Sequence, residues 1–158
     1  MKLFLYAFAG LAILSSALAK PKTHIVNVGP NSTLAYNPPY ISAHKGDVVK
    51  FIFHPKNHTA SQSSFEYPCK KLRHGFDSGF EPIKPSYPEP KTVLYHVKTK
   101  DPLWFFCRQT VPVSHCGKGM VFAINPPKHG HHTFAAFKAR AISQYGGKRD
   151  MIDSEDAE

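Results

Sequence analysis

Four residues of this chain have side chains that do chemistry together: His58, Cys107, His115 and Met120. One thiolate, two imidazoles and one thioether form a soft donor set. Such a set suits copper used for one-electron transfer, with the thiolate and imidazoles in a trigonal plane and the thioether as a weak, long axial ligand. Zinc also takes Cys and His ligands, but the affinity order of the divalent metals favours copper. Taken singly, each residue has a plainer reading. His58 and His115 are ordinary loop histidines, Met120 is core at the start of a strand, and Cys107 is a buried free thiol or an intermolecular disulfide partner. The spacing joins them. His115 and Met120 follow Cys107 closely, so one inter-strand loop can hold three donors, with His58 supplied after an earlier strand. A rigid site of this kind lets the metal change oxidation state with little reorganisation.

The elements that must hold these donors read as short strands. Residues 24–28 alternate and are closed by the turn Gly29-Pro30-Asn31-Ser32. Residues 34–42 contain Pro38-Pro39, which bends a strand or confines it to an edge. After the turn Lys45-Gly46-Asp47, residues 48–53 are a strong β-former run. Residues 54–91 are irregular and rich in Pro, Gly and Ser, with room for one short helix. Strands follow at 92–97, 103–107 and 120–124. This pattern predicts an all-β fold, a Greek-key sandwich of seven or eight strands. Asn125-Pro126-Pro127 closes it. Beyond lies a basic, His-rich hinge at 128–132. Its His129, His131 and His132 make a flexible surface feature or a weak second metal site. Thr133 then caps a helix through Phe134, Phe137, Ala141 and Tyr145, stopped by Gly146-Gly147. The acidic end is expected to be disordered. The expected division is a signal peptide at 1–19, a domain at 20–127, and hinge, helix and tail at 128–158.

Three cysteines leave one unpaired after a single disulfide. If Cys107 is the metal thiolate, Cys69 and Cys116 are free to pair. Their bond would tie the irregular 54–91 segment to the residue beside His115, for ~4 kcal/mol in the chain-entropy picture.

The run His115-Cys116-Gly117-Lys118-Gly119-Met120 resembles the H-C-x-x-G-[Met or Gln] signature of plant phytocyanins. In those proteins the Cys beside the second His pairs with a Cys downstream of the first His, a role that Cys69 fits. The wider chain resembles secreted fungal cupredoxin-like proteins of the serine-rich extracellular type. The resemblance lies in Lys56-Asn57-His58-Thr59, Gln62-Ser63-Ser64-Phe65, Pro68-Cys69, the run 75–80, Trp104-Phe105-Phe106-Cys107-Arg108-Gln109, and 112–120. It spans about residues 23–127. It implies a cupredoxin fold, copper ligands at His58, Cys107, His115 and Met120, and a Cys69–Cys116 disulfide. Two features depart from the pattern. Seven residues, 108–114, separate Cys107 from His115, against four in the phytocyanins, and the Ser-rich stalk of the fungal group is absent. In cupredoxins an Asn beside the first His often braces the ligand loop, so Asn57 is expected to do so. A glycan there would crowd the ligand. Of the two sequons, Asn31-Ser32-Thr33 is therefore the expected glycosylation site.

Compartment and charge narrow the function. Lys2, the apolar run 3–14 and Ala17-Leu18-Ala19 form a secretory signal peptide, too short in its apolar run for a membrane span. Cleavage is expected after Ala19, into a compartment where disulfides persist. The acidic, polar C-terminus is not expected to act as a lipid-anchor signal. Twenty Lys and Arg against 11 Asp and Glu give +9, one less after Lys2 is removed. That favours anionic partners such as wall polysaccharide or an acidic protein. No groove-reading motif points to nucleic acid. A multicopper oxidase needs several His-x-His pairs, and only His129-Gly130-His131 is present. A histidine-brace oxygenase needs an N-terminal His, where cleavage gives Lys20. No Ser-His-Asp or paired-carboxylate set is recognisable, so an enzyme is not expected. The expectation is a secreted, extracellular or wall-bound carrier with one type 1 copper and an unidentified redox partner. The rival reading is a cell-surface or host-interface scaffold that sequesters copper or binds no metal.

Overall fold

The computed structural model describes residues 20–86 and 89–146. The expected signal peptide at 1–19 and the acidic end at 147–158 lie outside the described residues. In chain order the strands are β1 (Thr23–Val28), β2 (Tyr36–Asn37), β3 (Tyr40–Ile41), β4 (Val48–Phe53), β5 (Lys56–His58), β6 (Ser61–Ser63), β7 (Glu81–Ile83), β8 (Lys91–His96), β9 (Leu103–Phe106) and β10 (Val121–Ile124), followed by helix α1 (Phe134–Tyr145). One sheet has the order β2-β1-β4-β8, the second β3-β10-β9-β6, and β5 pairs with β7 alone. β1 runs parallel to β4, and β3 parallel to β10; the other pairs are antiparallel.

β4 alternates strictly, turning Val49, Phe51 and Phe53 inward. They meet Val26 and Val28 of β1, and Phe105, Phe122 and Ile124 of the second sheet, in one buried cluster. Phe51 sits 5.6 Å from Phe122 and 6.1 Å from Phe105, ring centre to ring centre. Each fully buried Phe contributes ~1.5–3 kcal/mol. β1 is anchored by Asp47, whose carboxylate accepts from the backbone N–H groups of Lys22 and His44 and lies 2.9 Å from His24 Nε2. The hydrogen bond from His24, then those from the two backbone groups, holds this carboxyl well below the usual carboxylate range.

β9 and β10 are apolar without alternation, and β10 is buried at every position. A second cluster explains this. Trp104, Phe106, Val121 and Ala123 face away from the sandwich and are covered by Phe137 and Ala141 of α1, and by Phe65. The Trp104 and Phe137 rings are 4.6 Å apart. Helix α1 begins where Thr133 Oγ1 accepts from Ala136 N–H at 3.2 Å, and ends at Gly146.

Two details differ from the sequence expectation. Among the described residues there are ten strands rather than seven or eight, because the two-residue pieces β2 and β3 and the three-residue β6 pair with longer neighbours, and β5 and β7 pair with each other. Segment 54–91 holds β5, β6, β7 and turns, with no helix among its described residues. Among the described residues, no helix is long and apolar enough to cross a membrane.

Candidate metal centre

The end of β5 delivers His58 into the interior. Cys107 follows β9 directly, and Met120 precedes β10. Between them the chain folds back on itself. His115 N–H donates to Gln109 O at 2.8 Å, Met120 N–H to His115 O at 2.9 Å, and Cys107 N–H to Met120 O at 3.1 Å. The loop thus brings His115 and Met120 back beside Cys107. All four side chains are buried, and Met120 lies in the same apolar cluster as Cys107.

Donor atoms of His58, Cys107 and His115 all lie within 4.8 Å of one another, the one such cluster of His, Cys, Asp or Glu among the described residues. Cys107 Sγ is 3.4 Å from His115 Nδ1 and 3.9 Å from His58 Nδ1. Thiolate and imidazole bonds of about 2.3 and 2.0 Å that meet near 120° set sulfur and nitrogen about 3.7 Å apart. The observed distances bracket that value, and the donors are the soft set that copper prefers. The residues present therefore fit a copper ion.

The surroundings control protonation. Burial, with repulsion from His115, pulls His58 down to about 4. Burial, with Lys56 nearby, pulls His115 down to about 4. Both rings are thus neutral at physiological pH, the form that ligates metal. Burial pushes the Cys107 thiol up to about 11 against the opposing pull of backbone hydrogen bonds from Gln109 and Thr59. A bound metal must displace that proton.

Two bracing residues escaped the sequence reading. The backbone N–H of Thr59 points at Cys107 Sγ from 3.4 Å, while Thr59 Oγ1 accepts from Arg108 N–H at 2.9 Å and bonds Ser61 Oγ at 2.9 Å. Gly29 lies against the His58 ring. It adopts φ +69°, and a Cβ there would stand 2.2 Å from His58 Nε2. A Gly-Pro turn signals the bend but not the ring packed behind it. Asn57, the expected brace, lies half-buried on β5, and its Oδ1 is buried without a hydrogen-bond partner. Asn31 is exposed in the turn after β1, at φ 52°. Cys69 and Cys116 are joined, with Cα atoms 5.7 Å apart across a separation of 47 residues, and Cys107 is free and buried. A closed loop of that length adds ~4 kcal/mol in the chain-entropy picture. His132 packs its ring on Phe65 at 4.3 Å and stands 3.9 Å from Glu66; His129 and His131 join no metal-binding cluster.

A two-sheet sandwich with a buried His-Cys-His cluster at the ends of β5 and β9 is the architecture of the cupredoxins, and this chain is a cupredoxin-like protein. It is 32% identical over 133 residues to the "Probable GPI-anchored cupredoxin-1" of Arthroderma benhamiae, covering 84% of this chain and 66% of that protein. The chain thus spans just under two thirds of that relative's length. Among solved structures it is similar to a dithionite-reduced auracyanin from Roseiflexus castenholzii, with 11% identity, TM-score 0.48, and coverage of 67% of this chain and 97% of that one. It is also similar to native pseudoazurin from Hyphomicrobium denitrificans, with 20% identity, TM-score 0.47, and coverage of 77% and 97%. No protein-family model matches the chain.

Proposed function

We propose that this protein holds one type 1 copper ion at His58, Cys107, His115 and Met120 and carries single electrons outside the cell or at its surface. The observation that carries this reading is the buried Cys107 thiol flanked by two imidazole Nδ1 atoms at 3.4 and 3.9 Å. Copper bound there would supply a one-electron couple.

The chain's own residues do the rest. Cys107 gives up its proton and becomes the strong anionic donor. His58 and His115 bind without losing protons, because both are already neutral. Gly29, having no side chain, leaves room for the His58 ring to pack where it does, and the Thr59 N–H steadies the thiolate. The donors therefore stay in place as the charge at the centre changes. Val111 and Val113, 66% and 40% exposed, lead into His115. This apolar rim around Pro112 is the proposed port for a redox partner. The net charge of +9 favours an acidic partner, or retention on an anionic wall polysaccharide. The relative's GPI-anchored name and the signal-peptide character of residues 1–19 both support export to the cell surface. The role is that of a carrier rather than an enzyme.

Redox cycling tests this. The copper-loaded protein should take up one electron per copper from a mild reductant, lose its colour, and regain it on reoxidation. Bound copper that never cycles would leave sequestration as the function.

A further inference from the structure

We infer that helix α1 is a positioning brace for the ligand loop, and that Gly117 is a glycine because the helix lies on it. Nothing in the cupredoxin-like motifs covers residues 128–158, yet the far end of α1 meets the loop that carries His115 and Met120. A Cβ on Gly117 would stand 2.3 Å from the carbonyl oxygen of Tyr145, 2.7 Å from its carbonyl carbon and 3.1 Å from Gly146 Cα. These are backbone atoms of the helix end, so they cannot swing aside as a side chain does. Gly117 has no left-handed φ, and its own turn would accept another residue. The approach of the helix end forbids one.

Gly119 adds a second contact. A Cβ there would stand 2.8 Å from Lys138 Cε and 3.2 Å from Ile142 Cδ1. On the other side of the disulfide, Gln144 Nε2 donates to Glu66 O at 3.4 Å. One helix thus touches both segments that Cys69–Cys116 ties together. Phe137 and Ala141, fully buried against Trp104 and Phe106, fix the helix on the sheet. The loop from Cys116 to Gly119 is therefore clamped between the disulfide, the sandwich and α1. It is held in shape before any metal arrives. That the loop carries donors rests on the proposed function; the clamping does not.

Amide hydrogen exchange on the metal-free chain tests the brace. Gly117→Ala should lift the helix end and speed exchange across 115–120 and 142–145 by roughly tenfold, leaving β4 and β9 unchanged. Should that variant fail to fold, Ile142→Ala trims a partly exposed side chain that touches Gly119. It should speed exchange at 118–120 by roughly threefold. In copper-loaded protein, Gly117→Ala should also release copper to a chelator roughly tenfold faster, as loss of an outer support does. Unchanged loop exchange in the variant would overturn the brace, as would equal acceleration throughout the sandwich. A wild-type loop that is protected but binds no copper would remove the proposed function and leave the brace standing.

Discussion

The two sides of the centre are held by different means. His58 is held from the sandwich side: it ends β5, which pairs with β7 alone, is fully buried, and has Gly29, the residue after β1, against its ring. His115 belongs to a loop that reaches past the sheets and is secured from outside, by Cys69–Cys116 and by the end of α1. Cys107 joins the two, bonded through Thr59 to the His58 side and through Met120 to the loop side. The difference teaches that a longer inter-ligand loop need not be a looser one, provided that added supports replace the constraint that shortness would impose.

Each side has its own way to fail, and the seam between them has another. Cys107→Ser removes the seam donor and should have the largest effect. The intense copper–thiolate absorption should vanish, with affinity falling by more than the ~10–100-fold that loss of an outer partner costs, while circular dichroism stays native. Acid strikes both sides together. The rings titrate near 4 when folded and near 6.5 when unfolded. The unfolded chain therefore takes up protons first as pH falls. Stability of the metal-free protein should be level from about 6.5 to about 8 and drop between about 6.5 and 4, by of order 3 kcal/mol per ring, in urea titrations across pH. It should fall again above about 8.5, where the unfolded chain ionises the Cys107 thiol that burial holds up to about 11 in the fold.

Removing the disulfide with the Cys69→Ala, Cys116→Ala pair strikes only the loop side. It should lower unfolding free energy by ~4 kcal/mol at most in denaturant melts. The mirror experiment on the His58 side is Gly29→Ala. At φ +69° with the His58 ring 2.2 Å from the new Cβ, it should cost ~1–3 kcal/mol. It should also broaden the copper resonance spectrum while leaving exchange at 115–120 untouched. Thr59→Val removes the hydroxyl that serves Arg108 N–H and Ser61 and should cost ~1 kcal/mol in a thermal melt. Its backbone N–H to sulfur, and hence the colour, should survive. If Gly29→Ala and the disulfide pair shift the same residues in hydrogen exchange, the two sides are not separately held.

The candidate donors were legible because their chemistry is written in residue type: an unpaired Cys, two His and a Met at close spacing have few plainer explanations jointly, and the fold brings His58, Cys107 and His115 together. The helix was legible for a similar reason. Thr133 and Gly146 are local start and stop signals, and the helix runs between them. What escaped was non-local. Nothing around Thr133–Tyr145 says which surface the helix covers, although the unbroken apolar runs of β9 and β10 are the mark of strands buried on both faces. β2, β3, β5, β6 and β7 are too short to show a period, and the parallel pairings of β1 with β4 and β3 with β10 depend on contacts distant in sequence. Gly29 and Gly117 look like ordinary turn glycines until the ring and the helix beside them are seen.

The most direct test of the central claim is a copper titration of the purified chain, followed by visible absorption and electron paramagnetic resonance. One copper per chain is expected, with an intense thiolate-to-copper band and a type 1 resonance. Binding at pH 7 should release one proton, from Cys107, and none from the two histidines. A chain with its Cys69–Cys116 bond intact that binds no stoichiometric copper, or binds it without that band, would contradict the claim.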